Sequence, residues 1–174
     1  IVALDTGALT GFEALVRWLH PKRGIIGPDE FVAVAEETGL IVPIGRYVLE
    51  QSCRQLATWR ESLEEARDLT ISVNLSSRQL SAPGLVGDLD RVLTDTGLPP
   101  SRLKLELTES SIIDDTQAAG EMLHAFRERG VRLYMDDFGT GYSSLSYLSR
   151  LPLDKIKIDQ SFVQHIQTDT AGRA

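Results

Sequence analysis

The chain has 174 residues, close to the size of one average domain, and its 42% hydrophobic and 25% charged residues are ordinary values for a globular protein. These values exclude a disordered chain or a collagen-like repeat, and no apolar run approaches the roughly 18 residues that a membrane-spanning helix needs. The net charge of −7 excludes a general DNA- or RNA-binding protein, because such proteins carry a basic surface.

The first third of the sequence predicts a hairpin followed by two helices. Asp5-Thr6-Gly7 separates two apolar, strand-like segments, so the first two strands are expected to be antiparallel. Pro28 begins an amphipathic helix that continues to about Thr38 and that Gly39 ends. A second helix is expected from about 44 to 66, because its apolar residues recur at helical spacing.

From residue 69 onward, predicted strands and helices alternate, which is typical of a parallel sheet built from βα units. Strands are expected at 69–75, 103–107, 131–136 and 154–158. Helices are expected at 85–96, 116–129, 143–149 and from 161 to about 167. No linker or low-complexity segment divides the chain, so residues 1–174 are predicted to form a single domain.

Each of these predicted strands has one apolar and one polar face. In the strand at 103–107, leucines alternate with Lys104 and Glu106. The helices need an apolar sheet face, so the polar faces must meet one another, and this favours a (β/α) barrel over an open doubly wound sheet. The functional end of such a barrel is the end at which its strands finish.

Five oxygen-bearing side chains from four predicted strands are expected to point into the barrel interior. They are Glu13, Asn74, Glu106, Asp136 and Asp137. Structural ion pairs could neutralise some of them, and the candidate donors are Lys155, Lys157 and Arg132. Divalent ions explain the cluster more simply, because oxygen ligands without His or Cys favour Mg²⁺ or Mn²⁺. A pair of ions about 3.5–4 Å apart would suit in-line attack on a phosphodiester.

Five short motifs extend over nearly the whole chain. They are Glu13-Ala14-Leu15, Val73-Asn74-Leu75-Ser76, Glu106-Leu107-Thr108-Glu109, Asp136-Asp137-Phe138-Gly139-Thr140-Gly141-Tyr142-Ser143-Ser144 and Lys157-Ile158-Asp159. In this order they resemble the motifs of the EAL domain family, whose members are bacterial phosphodiesterases of cyclic di-GMP. The resemblance implies an α/β fold of the TIM-like (β/α) barrel type with an antiparallel first strand. It also implies hydrolysis of cyclic di-GMP to linear pGpG.

The resemblance assigns metal-binding and catalytic roles to individual residues. The residues that match ligands of two Mg²⁺ or Mn²⁺ ions are Glu13, Asn74, Glu106, Asp136 and Asp137. Those that match catalytic positions are Lys157, Glu106, Asp136 and Asp137. In the family, the lysine orients the attacking water and stabilises charge.

The resemblance also implies contacts with the substrate and with a second subunit. Arg17, Glu13 and Asp159 match positions at the substrate, and the arginine contacts a phosphate. Glu109 matches a glutamate that anchors the loop at 138–144. In the family this loop links dimerisation to metal binding, so a homodimer through this region is expected.

The family pattern extends beyond both ends of the sequence. The chain is therefore expected to be a partial barrel, without an N-terminal segment, the last strands, a further catalytic glutamate and a substrate-contacting glutamine. A sensory or GGDEF-type domain is expected in the parent protein. The single cysteine predicts a reducing, cytoplasmic setting, which is compatible with a membrane tether elsewhere in the parent.

An alternative from another functional class is a catalytically inactive EAL module that acts as a cyclic di-GMP receptor or a protein-interaction domain. Inactive members typically lose metal ligands or the lysine. Each of these positions covered by the sequence is intact, which favours an enzyme in the full-length parent.

Overall fold

Strands and helices alternate through most of the chain in the computed structural model, which describes residues 1–108, 111, 116–139 and 151–165. The strands are β1 (Gly11–Ala14), β2 (Trp18–His20), β3 (Gly24–Ile26), β4 (Thr70–Leu75), β5 (Leu103–Thr108), β6 (Arg132–Phe138) and β7 (Lys155–Ile158). The helices are α1 (Pro28–Thr38), α2 (Ile41–Ser62), α3 (Ser77–Leu80), α4 (Leu85–Thr96), α5 (Thr116–Glu128) and α6 (Gln160–His165). Two 3₁₀ turns lie at Glu64–Ala66 and Pro100–Arg102.

The main sheet has five strands in the order β1-β4-β5-β6-β7, and each neighbouring pair is parallel. The carboxyl ends of these strands therefore lie at one edge of the sheet. Strands β2 and β3 form a separate antiparallel hairpin that the sequence analysis did not predict. Each has three residues, too few to establish a two-residue alternation.

The predicted antiparallel first strand is not part of this sheet. The turn at Asp5-Thr6-Gly7 does reverse the chain, because Val2 and Leu9 form an antiparallel bridge. That bridge is isolated, and the first strand of the sheet, β1, runs parallel to β4. The connection from β1 to β4 passes through α1 and α2, and a helical crossover returns the chain in its original direction.

The predicted helix ends are accurate where Pro or Gly determines the backbone. Helix α1 begins at Pro28 and is followed by Gly39 with φ 80°, and α4 is followed by Gly97 with φ 65°. Helix α2 begins at Ile41, earlier than predicted, because Pro43 lies in its first turn, where proline is tolerated. The predicted helix at 143–149 lies outside the described residues.

The apolar face of the main sheet packs against α2, α4 and α5 in one core. Leu105 and Leu107 on β5 are buried together with Leu56, Leu89 and Phe126 on the helices. The opposite face of the sheet carries the polar side chains, as the alternation predicts. Helices on one face and polar side chains on the other are typical of the wall of a (β/α) barrel. No helix in the described part of the chain is long and apolar enough to span a membrane.

Candidate active site

The site lies on the polar face of the sheet, near the carboxyl ends of the five parallel strands. Asn74 on β4 is the register partner of Glu106 on β5. Glu106 is also paired with Tyr134 on β6, so Asp136 lies two residues further toward the carboxyl edge of the sheet. Glu106 is consequently buried, with 1% of its surface exposed, whereas Asp136 is half-buried.

Hydrogen bonds link polar side chains of β1 and β4, and separately those of β5, β6 and β7. The amide of Asn74 donates from Nδ2 to Oε1 of Glu13 over 3.0 Å. The ammonium of Lys157 donates to Oε2 of Glu106 over 2.7 Å and to Oδ2 of Asp136 over 2.6 Å. Glu13, Glu106 and Asp136 each offer a carboxylate oxygen, and these three oxygens lie within 4.8 Å of one another. These three residues form the acidic cluster.

Glu106 has a second oxygen whose surroundings fit a cation. Its side chain has no exposed surface, and Oε1 has no hydrogen-bond partner among the described residues. A buried carboxylate oxygen without a partner is costly, and a bound cation would remove that cost. The ligands available are carboxylate and amide oxygens, which suit Mg²⁺ or Mn²⁺.

Lys157 carries its proton firmly at neutral pH. Burial alone would lower the pKa of its ammonium, but the hydrogen bonds to Asp136 and Glu106 outweigh burial and raise the pKa. Lys157 therefore acts as a cation in this site, and it is unsuited to accept a proton.

Asp137 lies at an irregularity in β6, and its side chain is exposed and is not part of the group formed by Glu13, Glu106 and Asp136. The register between β6 and β7 shifts between Met135 and Phe138, and Asp137 has a positive φ of 53°. Regular alternation would point Asp136 and Asp137 to opposite faces, whereas a bulge re-aims the side chain. Burial raises the pKa of Asp137, and the carboxylates of Asp136, Asp159 and Glu13 raise it further against the opposing effect of Lys157.

Three of the predicted site residues lie apart from the acidic cluster or beyond the described residues. Arg17 is exposed and donates to the carbonyl oxygen of Val16 over 2.8 Å. Asp159 accepts a hydrogen bond from the backbone of Ser161 over 2.9 Å, and its hydrogen bonds with Ser161 lower its pKa. Glu109 lies outside the described residues.

Two of the three candidate cations for structural pairing are not hydrogen-bonded or ion-paired to the acidic cluster in the described structure. Lys155 lies with Nζ 5.9 Å from the ring centre of Tyr134, and Arg132 is exposed. The sequence analysis placed Lys104 on the polar face beside Glu106 but gave it no role, and its Nζ lies 5.1 Å from the same ring centre. Burial lowers the pKa of Lys104, and the charges of Arg132 and Lys155 add to this effect.

A cleft of about 300 Å³ opens beside the acidic cluster, which is within the range of ligand-binding pockets. Arg17, Asn74 and Glu106 line one part of it. Its apolar part comes from α1 and α2 and includes Val32 and Ile44. The cleft is thus lined by polar and charged side chains from the strand ends and by apolar side chains from the helices.

Comparison with known proteins identifies the same family as the motifs. The chain is 44% identical over 173 residues to the bifunctional diguanylate cyclase/cyclic di-GMP phosphodiesterase MucR of Pseudomonas aeruginosa, covering 99% of this chain and 25% of that protein. It is 44% identical over 168 residues to the cyclic di-GMP phosphodiesterase PdeR of Escherichia coli, covering 97% of this chain and 25% of that protein. The chain thus spans a quarter of the length of these curated relatives.

The solved structure of the PaMucR phosphodiesterase in complex with c-di-GMP matches the fold with a TM-score of 0.90 at 43% identity, covering 99% of this chain and 69% of that chain. This match confirms the parallel βα architecture of the TIM-like EAL structures. The family model of the EAL domain matches residues 1–174. The chain therefore belongs to the EAL domain family.

Proposed function

We propose that this domain hydrolyses cyclic di-GMP to linear pGpG with two Mg²⁺ or Mn²⁺ ions. The observation that carries the proposal is the convergence of Glu13, Glu106 and Asp136, whose oxygens lie within 4.8 Å of one another beside the ammonium of Lys157. The names of MucR and PdeR, which include cyclic di-GMP phosphodiesterase, support the choice of substrate.

The acidic cluster would hold the ions. Their ligands in this proposal are Glu13, Asn74, Glu106, Asp136 and Asp137. Bound divalent ions supply Lewis acidity and lower the pKa of water. The unpartnered Oε1 of Glu106 supports its role as a ligand, because this buried oxygen needs a cation.

Other side chains would orient the reactants. The Lys157 ammonium would position the attacking water and offset the negative charge that develops on the phosphate. Arg17 lines the cleft, and its guanidinium can bind two phosphate oxygens at once. Asp159 follows β7 directly, and we propose that it contacts the substrate together with Glu13.

We predict that replacing Glu106 will abolish metal-dependent turnover. In the full-length protein, Glu106→Gln removes a buried charge that holds the ions, whereas Glu61→Gln changes an exposed acid on α2 and serves as the matched control. Product formation is measured by chromatography of pGpG after chelation and after addition of Mg²⁺ or Mn²⁺. We expect chelation to stop turnover. Adding Mg²⁺ or Mn²⁺ should then restore turnover in the Glu61→Gln variant but not in the Glu106→Gln variant.

The same assay distinguishes the enzyme from an inactive receptor module. Tight binding of cyclic di-GMP without product under any divalent ion would establish the receptor function and contradict the proposed hydrolysis. Full turnover after exhaustive chelation would contradict the metal site but not the hydrolysis itself.

We also propose a homodimer in which the loop at 138–144, anchored by Glu109, approaches a two-fold axis. A dimer of this kind brings the same surface of each subunit into contact. We expect Glu109→Ala to reduce activity with little change in the free energy of unfolding. Sedimentation of the full-length protein measures its assembly, and a fully active monomer would contradict the dimer.

Further domains and a cytoplasmic location complete the proposal. The chain spans 25% of MucR, whose name combines a diguanylate cyclase with a phosphodiesterase, which supports an attached GGDEF-type or sensory domain. A buried, free Cys53 is compatible with a reducing compartment.

A further inference from the structure

The ammonium of Lys157 bridges two members of the acidic cluster, Glu106 and Asp136. It lies 2.7 Å from Oε2 of Glu106 and 2.6 Å from Oδ2 of Asp136. These two residues, with Glu13, are the ones whose carboxylate oxygens approach closely enough to share an ion. Lys157 therefore already uses oxygens of the two residues that a divalent ion would need.

Burial makes this pairing important for the metal-free protein. The side chain of Glu106 has no exposed surface, and that of Asp136 is 20% exposed. An ionised carboxylate at such a position is strongly destabilising unless a cation accompanies it. In the absence of a divalent ion, Lys157 provides that cation.

Other nearby cations have different contacts. Lys104 and Lys155 lie over the ring of Tyr134, and Arg17 donates to a backbone carbonyl. Within the described residues, Lys157 is the cation that forms ion pairs with the cluster. Its side chain is 36% exposed, so its flexible stem has space to turn away.

We infer that Lys157 is the internal counter-cation of the metal-free site and that its ammonium competes with a divalent ion for Glu106 and Asp136. The inference rests on the metal site of the proposed function and assigns Lys157 a role before catalysis. Two states follow: an ammonium-closed site without the ion, and a loaded site in which Lys157 is released toward the substrate. Lys157 therefore stabilises the metal-free fold and weakens the binding of the ion.

The test measures Mn²⁺ binding by calorimetry and thermal unfolding in chelator, using the full-length protein without substrate. Lys157→Met removes the charge and keeps much of the side-chain length. Lys155→Met is the matched control, because Lys155 carries the same charge on the same strand but lies over the ring of Tyr134 instead of pairing with the carboxylates. Lys157→Arg retains the charge.

We expect Lys157→Met to bind Mn²⁺ about tenfold more tightly or better, because no charge-assisted hydrogen bonds must be broken first. Its unfolding temperature in chelator should fall, and saturating Mn²⁺ should raise that temperature more than in the parent protein. Lys155→Met and Lys157→Arg should retain the parental affinity. A Lys157→Met protein that folds only with Mn²⁺ would also support the inference.

Unchanged or weaker Mn²⁺ binding by Lys157→Met would overturn the inference and leave the metal site standing. Equal tightening by Lys155→Met would also overturn it, because a general charge effect would then account for the change. Tighter Mn²⁺ binding by Lys157→Arg would also overturn the inference, because this variant keeps a positive charge beside Glu106 and Asp136. If neither the parent nor Lys157→Met binds Mn²⁺, both the inference and the proposed metal site fail.

Discussion

Lys155 and Lys157 are two residues apart on β7, yet their surroundings differ. Lys157 bridges Glu106 and Asp136, whereas Lys155 lies over the ring of Tyr134. The two-residue spacing keeps both side chains on the polar face but at different distances from the carboxyl edge of the sheet. This difference assigns the proposed catalytic role to Lys157 alone.

We predict that Lys157→Ala will lower kcat by roughly 10²–10³, the size of effect expected for losing one preorganised electrostatic donor. Lys155→Ala should leave kcat near the parental value, because it removes a similar side chain without touching the acidic cluster. Steady-state kinetics at saturating Mg²⁺ measures both variants. Near-parental kcat in Lys157→Ala would contradict its catalytic assignment.

Strand alternation was sufficient to predict the shared face of Asn74, Glu106 and Asp136. It could not predict the position of Asp137. The register shift between β6 and β7 and the positive φ of Asp137 arise only when the strands pair. Nor could it choose among Lys155, Lys157 and Arg132 as the partner of the carboxylates. That choice depends on the relative shift of neighbouring strands, which the sequence of one strand does not encode.

At the scale of the elements, β1 and β4 approach so closely that Gly11 has no room for a side chain. A Cβ at Gly11 would lie 2.5 Å from the backbone oxygen of Thr70. Gly11 is the register partner of Thr70, and Glu13 follows on the same strand. The position of Glu13, the first of the proposed metal ligands, therefore depends on this contact.

We predict that Gly11→Ala will lower the free energy of unfolding by about 1–3 kcal/mol, because backbone atoms cannot move aside as a flexible side chain can. Gly120→Ala is the matched control: it lies in α5 with open space around it and should raise stability by about 0.5–1 kcal/mol. Urea unfolding measures both. Equal stability of the two variants would contradict the close contact.

The boundaries of α1 and α4 were predictable because Pro28, Gly39 and Gly97 restrict or release the backbone at those points. The direction of the first strand was not, because the turn at residues 5–7 has a local effect only. The position of β1 in the sheet is determined by the crossover and by its pairing with β4. Such long-range pairing leaves no signal in a short sequence window.

At the scale of the whole molecule, one core joins the sheet to its helices, and Cys53 is part of it. Cys53 lies on α2 with no exposed surface, in the same cluster as Leu105 and Phe126. Burial raises the pKa of its thiol from 9.0 to about 12. The reactive thiolate is thus suppressed while the core is intact.

We predict that Cys53 will react with a thiol reagent only when the core opens. The reaction rate with a disulfide reagent, measured in increasing urea, should follow global unfolding. Stability should also fall as the pH rises from about 9 toward 12, because the unfolded thiol ionises first and the folded one does not. Rapid labelling in native buffer would contradict this burial.

The hydrogen bonds of the site join distant parts of the chain: Glu13 and Asn74 are 61 positions apart, and Glu106 and Lys157 are 51 apart. Such contacts close long loops, and long-range pairing of parallel strands is slow, so we expect the acidic cluster to assemble late in folding. Interactions that form after the transition state act mainly on the unfolding rate. A bound divalent ion should therefore lengthen the lifetime of the folded domain while leaving its refolding rate nearly unchanged.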